Sequence, residues 1–89
     1  MNYILKESLD GKSFSLRPDT NGRIIINRTT KEASDVGDEI KIFEGANESG
    51  NTYKDVLVCS NLSKLIEKGK ELSVKYGLEL KISKRIKGQ

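Results

Sequence analysis

The sequence predicts a single α+β domain over residues 1–89, beginning with an N-terminal antiparallel β-meander or partly open small barrel of about five strands. One amphipathic helix and a final strand are predicted to follow. The β-rich start is predicted from short runs that alternate or are rich in β-branched residues, with glycine-containing turns between them. The apolar residues recur at helical spacing over residues 62–76 and alternate with polar residues again after residue 78. With the strand predicted before the helix, this pattern predicts a C-terminal βαβ unit.

The first element is a predicted hairpin that turns at Asp10-Gly11. This dipeptide suits a two-residue type I′ turn, because both turn positions need a positive φ. Counting outward from the turn gives three predicted ladder pairs, which are Leu9 with Lys12, Glu7 with Phe14, and Leu5 with Leu16. Ladder partners share a face of the sheet. The buried face is predicted to hold Tyr3, Leu5, Leu9, Phe14 and Leu16, and the mostly wet face Ile4, Lys6, Ser8, Ser13, Ser15 and Arg17.

Further strands are predicted before the helix. A turn over residues 18–22 leads into a strand over 23–29, whose three successive isoleucines predict a central position covered on both faces. A glycine turn at residues 36–38 leads into an alternating strand. After a loop over residues 45–52, the next strand covers residues 53–59.

The helix is predicted from one apolar stripe, which holds Leu62, Leu65, Ile66, Gly69, Leu72 and Tyr76. Ser60 or Asn61 can cap its start, and Gly77 stands where a left-handed C-cap is needed. Gly69 lies within the stripe, which predicts that the helix approaches the sheet closely. The strand over residues 78–86 is predicted to lie at an edge of the sheet.

Composition restricts the chemistry that the chain can perform. The sequence has no histidine and a single cysteine, Cys59. Without histidine, the commonest general base, the usual activated serine and cysteine nucleophiles and most zinc sites are unavailable. One cysteine excludes an intramolecular disulfide, and the chain start lacks the basic flank and apolar stretch of a signal peptide. We therefore expect a soluble cytoplasmic protein without membrane contact, which is not an enzyme and has no catalytic residues, cofactor or metal.

Three features have a chemical interpretation that the sequence does not favour. The loop Gly45–Thr52 matches the phosphate-loop pattern except at Asn51, where the pattern requires a lysine, and a β-run follows where the motif needs a helix. Cys59 has no basic activator beside it, which favours a small core residue over a nucleophile. Five carboxylates without calcium-loop spacing favour solvated turn residues over an acid pair or a cation site. These are Asp35, Asp38, Glu39, Glu44 and Glu48.

Charge is distributed unevenly along the chain. Residues 1–60 hold eight Lys/Arg and ten Asp/Glu, whereas residues 61–89 hold eight and three, so the last third is basic. The partner- or nucleic-acid-binding residues predicted from this asymmetry are Lys81, Lys84, Arg85, Lys87, Lys68 and Lys75. A solubilising lysine coat is the alternative interpretation. Because arginine and exposed aromatic residues are scarce, any bound nucleic acid is predicted to be held by its backbone.

The predicted function is a small non-enzymatic protein-interaction module, a regulator or inhibitor that binds a larger protein with an acidic patch. This function is favoured by the small size, by the missing catalytic residues, and by the contrast between a slightly acidic first part of the chain and a basic last third. The abundance of lysine, isoleucine and asparagine is typical of AT-rich bacterial, phage and mobile-element genomes. One alternative is a nucleic-acid-binding domain that uses the basic last third. A weaker one is a small-molecule binder that uses the loop Gly45–Thr52, and self-association is compatible with each.

Overall fold

The computed structural model of the chain describes residues 1–19, 36–43 and 52–86. The described elements are β1 (Tyr3–Glu7), β2 (Ser13–Pro18), β3 (Lys41–Phe43), β4 (Val56–Cys59), α1 (Leu62–Tyr76) and β5 (Glu79–Ile82). The predicted strand over residues 23–29 and almost all of the loop Gly45–Thr52 lie outside the described residues.

The five described strands form one open mixed sheet in the order β3-β4-β1-β2-β5, and α1 packs on one of its faces. β1 is antiparallel to both β2 and β4, β3 is antiparallel to β4, and β5 is parallel to β2. It follows that β4 and β5 run in the same direction, as predicted for the βαβ unit, although β1 and β2 lie between them. The α+β class is confirmed, and these strands do not close into a barrel.

The apolar pattern of β1 and β4 explains why both strands lie inside the sheet. All four residues of β4 are buried, and β1 directs Ile4 toward one face and Leu5 toward the other, both of them buried. Successive apolar side chains are covered best where a strand has neighbours on each side and layers on each face. β3 and β5 expose several side chains and are the outermost of the described strands, which is the position predicted for the last strand.

The register of the β1–β2 hairpin is as predicted. Glu7 lies opposite Phe14, and Leu5 lies opposite Leu16. Leu5, Phe14 and Leu16 are buried in the core on the side of α1, so this part of the predicted buried face is confirmed.

The turn of this hairpin is longer than the predicted two-residue turn. The Gly11 N–H donates to the Ser8 carbonyl oxygen at 2.9 Å, so Leu9 and Asp10 are the central residues of a β-turn, and Gly11 follows at a φ of 70°. The Asp10 carboxylate accepts from the Ser8 hydroxyl at 2.6 Å and from the Lys12 N–H at 3.0 Å. Such local hydrogen bonds between side chains and backbone compete with the backbone hydrogen bonds of the β-ladder. The predicted burial of Leu9 is therefore wrong, and its side chain is 76 % exposed.

Replacing Gly11 by valine is expected to lower the free energy of unfolding by about 2 kcal/mol, because a β-branched residue is strained at positive φ. Urea denaturation followed by far-UV circular dichroism measures the loss. Gly11→Asn is the matched control, since asparagine tolerates this conformation, and it should lose clearly less stability. Equal losses for the two variants would contradict the assignment of a left-handed residue at this turn.

Both ends of α1 are as predicted. Asn61 is the N-cap, and its side-chain oxygen accepts from the Lys64 N–H at 3.3 Å. Gly77 ends the helix in the left-handed conformation, and its N–H donates to the Ser73 carbonyl. These contacts satisfy backbone groups that a helix leaves unpaired at its ends.

The predicted apolar stripe of α1 faces the sheet. Leu65, Gly69 and Leu72 are buried, while Leu62 and Ile66 are half-buried beside them. The absence of a side chain at Gly69 permits the close approach that the sequence predicts. A β-carbon there would lie 2.9 Å from a terminal methyl of Leu80 and 3.4 Å from one of Leu5, in strands β5 and β1.

The segment before β3 is tied to the start of α1 by hydrogen bonds. The Ser60 N–H donates to the Gly37 carbonyl at 2.9 Å, and the Gly37 N–H donates to the Ser60 hydroxyl at 3.1 Å. Asp38 accepts from the Asn61 side chain at 2.6 Å and forms an ion pair with Lys64 at 3.1 Å. The Asn61 hydrogen bond, and after it Lys64, lowers the pKa of Asp38.

Candidate basic face of the sheet

The sheet has two different faces. On the face toward α1, the core consists of Leu5, Phe14, Leu16, Leu57, Cys59, Leu65, Leu72 and Ile86. On the opposite face, called the far face from here on, Ile4, Val56 and Val58 are buried, and Val36 and Phe43 pack against them. These residues cover the half of the far face formed by β3, β4 and the start of β1. The other half, formed by β2, β5 and the end of β1, carries polar and charged side chains.

Strand pairing brings Lys6, Ser15 and Lys81 into one row on the far face. Lys6 pairs with Ser15 across β1 and β2, and Ser15 pairs with Lys81 across β2 and β5. Because ladder partners share a face and neighbouring strands lie about 4.8 Å apart, the two lysines begin about 10 Å apart, on either side of the serine. Lys81 is exposed, and Lys6 and Ser15 are half-buried. The short serine leaves space between two long cationic side chains.

Arg17 adds a third cation beside this row. It lies two residues after Ser15 on β2, and therefore on the same face, and its side chain is exposed. The Ser15 hydroxyl donates to the Lys6 carbonyl oxygen at 3.4 Å, which places the hydroxyl at the base of the row. Lys6, Ser15, Arg17 and Lys81 are called the basic face below. Three cations around one small polar residue favour the binding of carboxylate or phosphate groups.

Two acidic side chains lie near the basic face, Asp10 in the hairpin turn and Glu79 on β5. The hydrogen bond from the Ser8 hydroxyl, followed by the one from the Lys12 N–H, lowers the pKa of Asp10, and the positive charge of Lys81 contributes. Lys81 is therefore close enough to act electrostatically on the hairpin turn. Glu79 lies two residues before Lys81 on the same strand and the same face, so β5 presents a carboxylate and an ammonium group in alternation.

The structure divides the predicted binding residues between different surfaces. Lys81 lies on the far face, whereas Lys68 and Lys75 belong to α1, which packs on the other side of the sheet. Lys68 forms an ion pair with Glu71 at 3.5 Å, and the Lys75 ammonium lies 5.5 Å from the centre of the Tyr76 ring. The two helix lysines and Lys81 therefore do not form one continuous surface.

The remaining predicted residues follow β5. Lys84 and Arg85 are exposed in a turn that is closed by the Ile86 N–H, which donates to the Ser83 carbonyl at 3.1 Å. Lys87 lies outside the described residues. Of the predicted set, Lys81, Lys84 and Arg85 follow one another along this edge of the sheet.

Lys6 and Arg17 are part of the basic face, although they are missing from the predicted set. A signal for them was present in the sequence, because the hairpin register already sets Lys6, Ser15 and Arg17 on one wet face. The missing information was the parallel pairing of β5 with β2, which adds Lys81 to that face. Nothing local in the sequence specifies this long-range pairing.

A buried carboxylate lies at the end of β1, on the side of α1. Glu7 is 1 % exposed, and its Oε1 accepts from the Tyr53 N–H at 3.0 Å. Tyr53 stacks edge-to-face on both Phe14 and Tyr76, with ring centres 5.3 and 5.2 Å apart. Burial, followed by the nearby Asp55 carboxylate and Tyr76, raises the pKa of Tyr53. Glu7 thus fixes the backbone that carries this aromatic cluster, and among the described residues no hydrogen-bond donor reaches its buried Oε2.

Cysteine and acidic side chains are the other candidates for chemistry among the described residues. Cys59 is buried in the core, as predicted. Asp38 and Glu39 are exposed, while Asp35, Glu44 and Glu48 lie outside the described residues. Within residues 1–19, 36–43 and 52–86, no group of three or more histidine, cysteine or acidic side chains is placed to bind a metal ion.

In the part of the chain that the structure describes, no helix has both the length and the hydrophobicity required to span a bilayer. Comparisons with protein-family models, with curated proteins and with solved structures gave no match. The basic face itself is therefore the basis for a functional proposal.

Proposed function

We propose that this protein is a small non-enzymatic interaction module, a regulator or inhibitor that binds an acidic segment of a larger protein at the basic face. The observation that carries the proposal is the row of Lys6, Ser15 and Lys81 across three strands, with Arg17 beside it. These cations are held by a paired sheet, so their backbone positions are set before a partner arrives. Preorganisation of this kind reduces the entropy lost on binding.

An acidic protein segment fits this surface for electrostatic reasons. Three cations on one face attract carboxylates, and the serine between two of them leaves room for a carboxylate to approach. Charges arranged in this way mainly increase the rate of association and select the correct partner. The apolar half of the far face, where Phe43 is half-buried, lies beside the basic half and provides neighbouring apolar contact.

Two observations favour a protein partner over nucleic acid. Asp10 and Glu79 lie near the basic face, and a protein segment can place cations of its own opposite these carboxylates, whereas a phosphate backbone carries negative charge alone. Base stacking requires exposed aromatic rings. Among the described residues, Tyr53 and Tyr76 belong to the cluster on the side of α1, so they are not placed on the basic face.

Reversing two charges of the basic face is expected to weaken binding of an acidic probe. The probe is a fluorescently labelled oligo-glutamate peptide, measured by anisotropy at low and at physiological salt. The double variant Lys6→Glu/Arg17→Glu should bind it at least about tenfold more weakly, because two attractive contacts become repulsive. Circular dichroism of each variant establishes that the fold is retained.

A matched variant separates this surface from the lysines of α1. Lys70→Glu/Lys75→Glu changes the net charge by the same amount on the other side of the molecule, and it should retain most of the affinity. An equal loss for both variants would mean that only net charge matters, which would overturn the proposed site. Tighter binding to a labelled oligonucleotide than to the peptide, with a steep salt dependence, would favour the nucleic-acid alternative instead.

A further inference from the structure

We infer that the edge strand β5 pairs with β5 of a second copy of this chain, in an antiparallel and two-fold symmetric manner centred on Leu80. In the described part of the chain, β5 is the last strand on its side of the sheet and has β2 as its neighbour. An edge strand presents backbone donors and acceptors that another strand can pair with. The inference goes beyond the proposed function and concerns the open side of β5, which shares Lys81 with the basic face.

The direction of the backbone groups makes Leu80 the centre of this pairing. The Ser83 N–H donates to the Leu16 carbonyl of β2 at 2.8 Å. Backbone groups of alternate residues point to opposite sides of a strand, so Glu79 and Lys81 direct theirs toward β2. Leu80 and Ile82 then direct theirs toward the open edge. In two copies related by a two-fold axis at Leu80, the Leu80 N–H of each copy can donate to the Leu80 carbonyl of the other.

The same axis makes the charges of the two strands complementary. With Leu80 opposite Leu80 of the second copy, Glu79 lies opposite Lys81 of that copy, and Lys81 lies opposite its Glu79. These are the close pairs of an antiparallel ladder, with Cα atoms about 4.5 Å apart. Cross-strand pairs of opposite charge stabilise a sheet, and like charges destabilise it. Two ion pairs therefore form symmetrically on the far face.

Neighbouring registers are excluded by the same charges. A shift of one residue would bring the wrong faces and the wrong backbone groups together. A shift of two residues in one direction sets Lys81 opposite Lys81 of the second copy. The shift in the other direction sets Glu79 opposite Glu79. Of the registers centred within β5 or one residue beyond it, only the one at Leu80 pairs the two charged residues of β5, Glu79 and Lys81, with each other, so the sequence of β5 specifies its own partner.

The apolar side of β5 supports this arrangement. Leu78, Leu80 and Ile82 pack against the core on the side of α1 but are only half-buried in a single copy. In the dimer, Leu80 meets Leu80 of the second copy, and Ile82 lies beside its Leu78. The Leu78 N–H already donates to the Ser73 carbonyl at 3.0 Å, so contact at that end depends on the side chains.

The inferred dimer also places the remaining cations of the basic face, Lys6 and Arg17 of both copies, on one surface, while each Lys81 is paired with Glu79 of the other copy. The two-fold axis runs perpendicular to the sheet, so the far faces of both copies lie on the same side of one continuous sheet. Lys6 and Arg17 belong to β1 and β2, away from the seam, and they remain available in each copy. A partner with two acidic segments could then bind both copies, which raises its effective affinity.

Charge-swap variants test the inference. Sedimentation equilibrium of the wild type should show a monomer–dimer equilibrium. Lys81→Glu and Glu79→Lys should each weaken self-association at least about tenfold, since each converts both cross-strand pairs into repulsive ones. Mixing the two single variants in equal amounts should restore the dimer, because a strand with two carboxylates then faces a strand with two ammonium groups. The double variant Glu79→Lys/Lys81→Glu should dimerise as the wild type does.

The outcomes that overturn the inference are distinct from failure of the proposed function. A wild type that sediments as a monomer at every concentration would exclude the dimer. A dimer that both single variants retain would show that the contact lies elsewhere. In the wild-type dimer, hydrogen exchange should protect the Leu80 amide, and an unprotected Leu80 amide would exclude pairing at this edge. None of these measurements involves Lys6 or Arg17, on which the acidic-probe experiment depends.

Discussion

Replacing Leu72 by alanine is expected to lower the free energy of unfolding by about 2–5 kcal/mol, the range observed when a buried leucine is truncated. Leu72 is 4 % exposed and lies in the core between α1 and the sheet, in the same cluster as Leu65 and Phe14. The loss combines the transfer free energy of the removed methyl groups with the cavity that remains. In a chain of 89 residues this lowers the melting temperature by about 10 °C or more.

Val74→Ala provides the matched control in the same helix. Val74 is 85 % exposed, so its truncation should change the free energy of unfolding by less than about 0.5 kcal/mol. Both variants are measured by urea denaturation, with the slope of the transition compared to detect a change in the unfolded state. Similar stabilities for the two variants would mean that the stripe of α1 does not face the sheet.

Local signals were sufficient to predict the helix and the hairpin register. The spacing of Leu65 and Leu72, the N-cap Asn61 and the C-cap Gly77 are signals that each depend on residues close in sequence, and the structure confirms each of them. The register of β1 and β2 follows from a short connection, because a hairpin leaves few ways to align two strands. Such short-range preferences can be recognised from a single sequence.

The details of the hairpin turn could not be predicted, because side chains compete there with the backbone. Asp10-Gly11 suits a two-residue turn, but the Asp10 carboxylate bonds to the Ser8 hydroxyl and to the Lys12 N–H. This rearrangement exposes Leu9, which periodicity alone assigns to the core. Dipeptide preference gives the location of the turn, whereas hydrogen bonds of the neighbouring side chains decide its length.

The basic face and the strand order depend on contacts between distant parts of the chain. Lys6 and Lys81 are far apart in sequence and meet only because β5 pairs with β2 rather than with β4. Charge counting assigns the basic character to the last third of the chain. Strand pairing instead brings cations from different parts of the chain onto one surface. Lys68 and Lys75 lie on α1, and Arg17, from the first third, joins Lys81.

Replacing Gly69 by leucine is expected to lower the free energy of unfolding by about 3 kcal/mol, the upper part of the usual range for overpacking. Even a single β-carbon at this position would lie 2.9 and 3.1 Å from the two terminal methyl groups of Leu80, and 3.4 Å from one of Leu5. The leucine side chain would force α1 away from β1 and β5. This loss exceeds the gain of about 1 kcal/mol expected when a glycine in a helix interior is replaced by a good helix former.

Two further variants identify the cause of this loss. Gly69→Ala adds one methyl group, which the half-buried Leu80 can avoid by rotating, so the gain in helix propensity offsets the contact and the net change should be small. Gly69→Leu/Leu80→Ala removes the closest neighbour, and it should be at least about 1 kcal/mol more stable than the sum of the two single changes predicts. Additive effects in this double-mutant cycle would show that the loss does not arise from contact between α1 and β5. Retention of wild-type stability by Gly69→Leu would contradict the close packing of helix and sheet at this position.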